Sequence, residues 1–186
     1  MSAEPVPLPS LTFEEYLKFE ELSQERHEFV GGQVYVMTGG TQTHDFVVQA
    51  ISARLYGAFR AKGCPTFVFN RKLTIGESVY YPDLFVTCTQ ATHRQYETDA
   101  ACVVEVLSDS TYRYDEREKA AAYGLLPSLR GYLLVNPERE SVELGKHGPG
   151  GWERYLYGPR SVIDLDGVEL DLAEVFAEVR ETRVSE

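Results

Sequence analysis

The chain has 186 residues, 43% hydrophobic and 25% charged, and its 18 lysines and arginines against 29 aspartates and glutamates leave a net charge of −11. That length buries a real core and that composition is ordinary for a globular protein, while no apolar run approaches the ~18 residues a membrane-spanning helix needs. The acidic balance argues against a polyanionic partner at face value, but residues 44–94 carry 6 basic and 3 acidic groups, so one basic stretch lies between acidic flanks.

Pro5, Pro7 and Pro9 make residues 1–10 a flexible arm rather than regular structure, and residues 11–186 are expected to form a single domain. The first residues have neither the basic start nor the apolar stretch of a secretory signal, so a cytoplasmic location is expected. Thr12-Phe13-Glu14-Glu15 is a capping box that opens a helix to about Leu22. Phe29-Val30, Gly31-Gly32 and Gln33–Met37 form a hairpin with a glycine turn. After Gly39-Gly40 a long helix is predicted from about Thr43 to Lys62, with Val47, Ala50, Ile51, Leu55, Ala58 and Phe59 on one face and Gly63 as its stop.

Short strands follow around Thr66–Phe69, Lys72–Ile75 and Asp83–Thr87, then a polar loop over Thr89–Asp99, then the most apolar strand, Ala101–Leu107. A helix is predicted over about Asp115–Leu125, and Gly131–Val135 is a strand ended by Asn136-Pro137. Ser141–Leu144, Trp152–Tyr157 and a helix near Leu172–Val179 form a small C-terminal addition. The order indicates an α/β fold, a mixed β-sheet flanked by helices, with an N-terminal helix and hairpin. Cys64, Cys88 and Cys102 are odd in number and lack metal-type spacing, so free thiols are expected rather than a disulfide or a zinc site.

Chemistry concentrates on two carboxylates. Asp83 opens Leu84-Phe85-Val86, and Glu105 lies within Cys102-Val103-Val104-Glu105-Val106-Leu107. A carboxylate inside a buried strand is costly unless it is paired, hydrogen-bonded or bound to a metal. If the strands lie side by side, Asp83 and Glu105 can converge on a hard cation such as Mg²⁺ or Mn²⁺, with the Val106 carbonyl filling a further position. Such a cation polarises a phosphoryl oxygen, and Lys119 on the following helix can hold the attacking water or the charge developing on phosphate. The plainer readings are a strand cap for Asp83, a salt bridge between Glu105 and Lys119, and packing for Tyr123.

The runs Tyr81-Pro82-Asp83 and Val104-Glu105-Val106-Leu107-Ser108, followed by Asp115, Lys119 and Tyr123, resemble the Uma family of restriction-endonuclease-like proteins within the PD-(D/E)XK nuclease group. Arg26-His27-Glu28-Phe29-Val30-Gly31-Gly32, Thr41-Gln42-Thr43-His44 and Gly131–Pro137 carry the resemblance over most of the chain. In the wider group a lysine stands two places after the acidic residue; here that place is Leu107, and the resemblance implies that Lys119 has taken over its role. It also implies that Glu28 joins the metal cluster and that the fold is restriction-endonuclease-like. Candidates for substrate contact are His44, Arg71, Lys72 and Arg113.

Three functions compete. The first is a divalent-metal-dependent endonuclease acting on DNA, for which a homodimer would suit cleavage of both strands. The second is a catalytically inactive nucleic-acid- or metal-binding module of a mobile-element or defence complex, which the acidic charge favours. The third, a hydrolase of small phosphorylated substrates, lacks a phosphate-cradling glycine loop. The nuclease reading requires Arg60, Lys62, Arg71, Lys72, Arg113 or Arg117 to gather beside Asp83 and Glu105.

Overall fold

A computed structural model describes residues 10–37, 39–107 and 118–183. Helix α1 (Phe13–Leu22) starts with the reciprocal bonds of the capping box, Thr12 N to Glu15 Oε2 at 2.8 Å and Glu15 N to Thr12 Oγ1 at 3.3 Å. Strands β1 (His27–Val30) and β2 (Gln33–Val36) form the hairpin. Gly31 and Gly32, with φ of 58° and 83°, supply the left-handed pair that a two-residue hairpin loop requires. Helix α2 (Gln42–Ala61) is capped by Thr41, whose hydroxyl accepts from His44 N at 3.2 Å.

The chain then alternates through β3 (Thr66–Val68), β4 (Lys72–Ile75), β5 (Ser78–Tyr80), β6 (Leu84–Val86), β7 (Tyr96–Glu97) and β8 (Cys102–Val106). Glu118 and Lys119 lie in a π-type helical turn that runs into the short helix α3 (Ala120–Tyr123). Strands β9 (Gly131–Asn136), β10 (Ser141–Gly148) and β11 (Gly151–Tyr157), a small hairpin of β12 (Val162–Asp164) and β13 (Glu169–Asp171), and helix α4 (Leu172–Arg183) complete the described chain.

A six-stranded mixed sheet in the order β11-β10-β9-β8-β6-β3 forms the centre, and a second sheet, β2-β1-β5-β4-β7, lies beside it. In the centre β8 pairs parallel to β9 and antiparallel to β6. Strand β8 is covered on both faces, which is why its sequence is almost wholly apolar. On one face Val104 and Val106 join Leu84, Val86, Leu133 and Val135 against Val47, Val48, Ile51 and Leu55 of α2, with Val175 and Phe176 of α4 in the same core. On the other, Val103 and Phe85 pack with Leu73, Tyr80, Tyr123 and Leu134. Alternation along the strand puts Glu105 on this second face.

Several elements differ from the sequence expectation. Strand β7 interrupts the polar loop and pairs parallel to β4, and β5, β12 and β13 also come from segments with too few residues to show a period. The cysteine expectation is corrected: Cys64 and Cys88 form a disulfide, while Cys102 is a buried free thiol. The antiparallel register of β3 on β6, Thr66 opposite Val86, extends two residues outward to set Cys64 opposite Cys88. A separation of 24 in sequence hides a pair that the sheet makes adjacent. Nine of the ten residues of the proline-rich arm, and Arg113, Asp115 and Arg117, lie outside the described residues. Among the described residues no helix is long and apolar enough to cross a membrane.

Candidate functional site

The β6–β8 register places Leu84 opposite Val104, so the next pair outward is Asp83 and Glu105. Asp83 sits just before its strand and turns its carboxylate into the plane of the sheet. Its Oδ2 accepts the Val106 N–H at 2.8 Å and lies 3.0 Å from His44 Nε2. In an extended strand a residue's N–H and C=O leave the same edge, so the Val106 carbonyl is directed to the Asp83 side, while the Leu107 N–H bonds the Val135 carbonyl on the other.

His44 comes from the first turn of α2 and is buried, with Nδ1 3.4 Å from Asp45 Oδ1. Burial pushes its pKa down, but the hydrogen bond and charge of Asp83, reinforced by Asp45, outweigh this and raise it above 6.5.

A second set of charges lies on the other face. Lys119 Nζ is 2.9 Å from Glu28 Oε1 and 3.2 Å from Glu105 Oε1, and all three residues are at most 6% exposed. The Tyr123 hydroxyl donates to Glu105 Oε1 at 2.6 Å, one turn along from Lys119. The Tyr81 N–H donates to Glu28 Oε1 at 3.1 Å. Burial, then the charges of Glu105 and Glu28, push the Tyr123 hydroxyl far above 10, so it remains a donor. Glu28, from the hairpin of the second sheet, thus meets Glu105 through one ammonium.

The candidate metal ligands share one donor chemistry. Glu28, Asp83, Glu105 and the Val106 carbonyl offer oxygen only, the set that Mg²⁺ or Mn²⁺ prefers. The Lys119 ammonium marks a cationic position between two of the carboxylates. Among the described residues, however, no three histidine, cysteine or carboxylate side chains are grouped so that they could hold a metal ion, so Glu28, Asp83 and Glu105 are not gathered into one chelating set.

The other candidates for substrate contact are dispersed. Arg71 binds Glu97 Oε1 through Nε at 3.0 Å and Nη2 at 2.7 Å, and also bonds the carbonyls of His93, Arg94 and Tyr96, so it ties the loop before β7 to β4. Lys72 Nζ stands 5.6 Å from the Tyr81 ring centroid, and burial lowers its pKa. Arg60 is sixteen residues beyond His44 on α2, on the order of 24 Å along the axis, and Lys62 bonds the Asp166 carbonyl. Neither joins the expected gathering of cations.

Two features have no local signal in the sequence. Glu20, from α1, is buried and accepts the His27 N–H at 3.1 Å and the Tyr81 hydroxyl at 2.7 Å, with its other oxygen 3.0 Å from His27 Nδ1. It clamps the residue before Glu28 to the segment that carries Asp83. Phe69 adopts a positive φ beside His44 and Asp83.

A family model described as "Uma2: Putative restriction endonuclease" matches residues 13–179. The chain is 33% identical over 172 residues to the "Uncharacterized protein slr1290" of Synechocystis sp., with 90% of each chain covered. It is 30% identical over 132 residues to the "Uncharacterized protein sll1609" of the same organism, covering 68% of this chain and 75% of the other. The crystal structure of a "putative nuclease belonging to DUF820" from Anabaena variabilis superposes with a TM-score of 0.75 at 12% identity, covering 91% of this chain and 99% of that one. That likeness is one of fold.

Proposed function

Because this chain belongs to the Uma2 family of restriction-endonuclease-like proteins, we propose that it is a divalent-metal-dependent endonuclease that hydrolyses phosphodiester bonds in DNA. The observation that carries the reading is the buried Glu28–Lys119–Glu105 set beside Asp83. A protein gains little stability from burying two carboxylates and one ammonium, since apolar residues of similar volume usually serve as well.

Asp83, Glu105 and the Val106 carbonyl, with Glu28, would hold Mg²⁺ or Mn²⁺, which supplies polarisation of a phosphoryl oxygen and a more acidic bound water. Lys119 holds the attacking water or the charge that builds on the transferred phosphoryl group. Tyr123 fixes the rotamer of Glu105 by its short hydrogen bond, and His44 does the same for Asp83 from the opposite side. His44 and Lys72 serve as substrate contacts, and Arg71 acts through the loop it anchors. A homodimer presenting two such sites would cut both strands of a duplex.

The dispersal of Arg60 and Lys62 favours a second reading, a catalytically inactive nucleic-acid-binding module, because contacts from lysine and arginine to phosphate dominate DNA affinity. The two separate in one assay. Labelled single-stranded and duplex DNA is incubated with Mg²⁺ or Mn²⁺ and either wild type or Glu105→Gln. Metal-dependent cutting by wild type alone supports the nuclease. Retention of DNA by both proteins without cutting supports the module, and equal cutting by both overturns the site.

A further inference from the structure

Phe69 holds a backbone conformation that a large side chain rarely adopts. Its φ is 59°, and the Asn70 N–H closes a three-residue turn on the Val68 carbonyl at 2.7 Å, which is the rare and strained form of the γ-turn. Asparagine tolerates left-handed φ far better than phenylalanine, and Asn70 is the very next residue, yet the strain falls on Phe69. Two anchors keep it there. The Phe69 N–H donates to the Asp83 carbonyl at 3.0 Å, and the Phe69 carbonyl accepts from Arg26 Nη1 at 3.2 Å. The half-buried ring packs on the edge of the α2-side core and lies 6.1 Å from the His44 ring with 29° between their planes, so Phe69, His44 and Asp83 are linked in one run of contacts. Strain that the surroundings over-determine in this way concentrates at functional sites.

We propose that Phe69 is a stacking platform for a nucleobase of the substrate, and that the site takes a single-stranded or locally unpaired strand. This rests on the nuclease reading and narrows it to a substrate class. A ring beside Asp83 meets the flat face of a base only when that base is out of the duplex stack. Arg26, exposed and bonded to the same residue's carbonyl, places a cation where the backbone of such a strand would pass.

The test is fluorescence anisotropy with a short fluorescein-labelled oligothymidine strand and its duplex with oligoadenosine, in Mg²⁺. Glu105→Gln protein is used to prevent turnover, with Phe69 intact or changed to Leu or Tyr. Leucine keeps apolar packing but cannot stack, whereas tyrosine can, and thermal melting shows that both variants fold. The strand should bind more tightly than the duplex. Phe69→Leu should weaken strand binding about 5- to 100-fold and Phe69→Tyr by less than about twofold, as expected for one stacked base. Equal strand affinity of the Phe69 and Leu forms, a preference for duplex, or no binding at all overturns the platform. Cleavage by protein with intact Glu105 is read separately. Phe69-dependent binding without cleavage leaves the platform standing and removes the nuclease, whereas cleavage with Phe69-independent binding does the reverse.

Discussion

Lys119→Ala isolates the energetic role of the buried ammonium. Nζ lies 2.9 Å from Glu28 Oε1 and 3.2 Å from Glu105 Oε1, and the lysine is 6% exposed, so solvent screening gives little relief. Those distances keep the two oxygens within about 6 Å of each other, close enough for like charges to repel strongly. Tyr123 and the Tyr81 N–H still donate one bond to each carboxylate, but neither carries charge. Removing one partner of a buried ion pair costs about 3–5 kcal/mol, a large part of a typical stability of about 5–15 kcal/mol. For a chain of this size that is a fall in melting temperature of about 6–20 °C.

The assay is thermal and urea unfolding of wild type, Lys119→Ala, Glu28→Gln and the double variant. The double variant should recover most of the loss, because Glu28→Gln removes the charge that Lys119 had balanced. A Lys119→Ala protein that melts within about 2 °C of wild type, or a double variant no better than the single, would refute the reasoning.

His44 should make stability depend on pH. Its pKa is raised in the folded protein, so its contribution is complete below its unfolded value near 6.5 and is lost as pH rises through the folded value. Wild type should therefore lose more melting temperature than His44→Gln between pH 6 and 8, and parallel curves would show that the Asp83 pair does not titrate. Reduction of Cys64–Cys88, which closes a loop of 24 residues' separation, should lower stability by about 3 kcal/mol. Urea unfolding of wild type with and without dithiothreitol checks this against Cys88→Ser, which should be indifferent to the reductant.

The main helices, the first hairpin and the strand around Glu105 were legible in the sequence because their signals are local. The Thr12–Glu15 capping box, the paired glycines at 31 and 32, and the apolar face from Val47 to Phe59 each lie within one or two turns of chain. The cost of burying Glu105 among apolar neighbours was likewise readable from one strand. The pairing of Glu28 with Lys119 has no local signal, since beside Glu25 and Arg26 Glu28 looks like part of an ordinary charged run.

Only the tertiary structure decided what meets what. It spent Arg71 on a loop rather than leaving it over the site, bonded Cys64 to Cys88, brought Glu20 onto His27 and Tyr81, and left the strain of a tight turn on Phe69. Each of these depends on sheet register or on the docking of the two sheets, which short-range periodicity does not encode. The chain by itself determined which groups would be expensive to bury. The fold determined which partners lower that expense, because a buried charge is stabilised by whatever lies within a few ångströms in space, whatever its distance along the sequence.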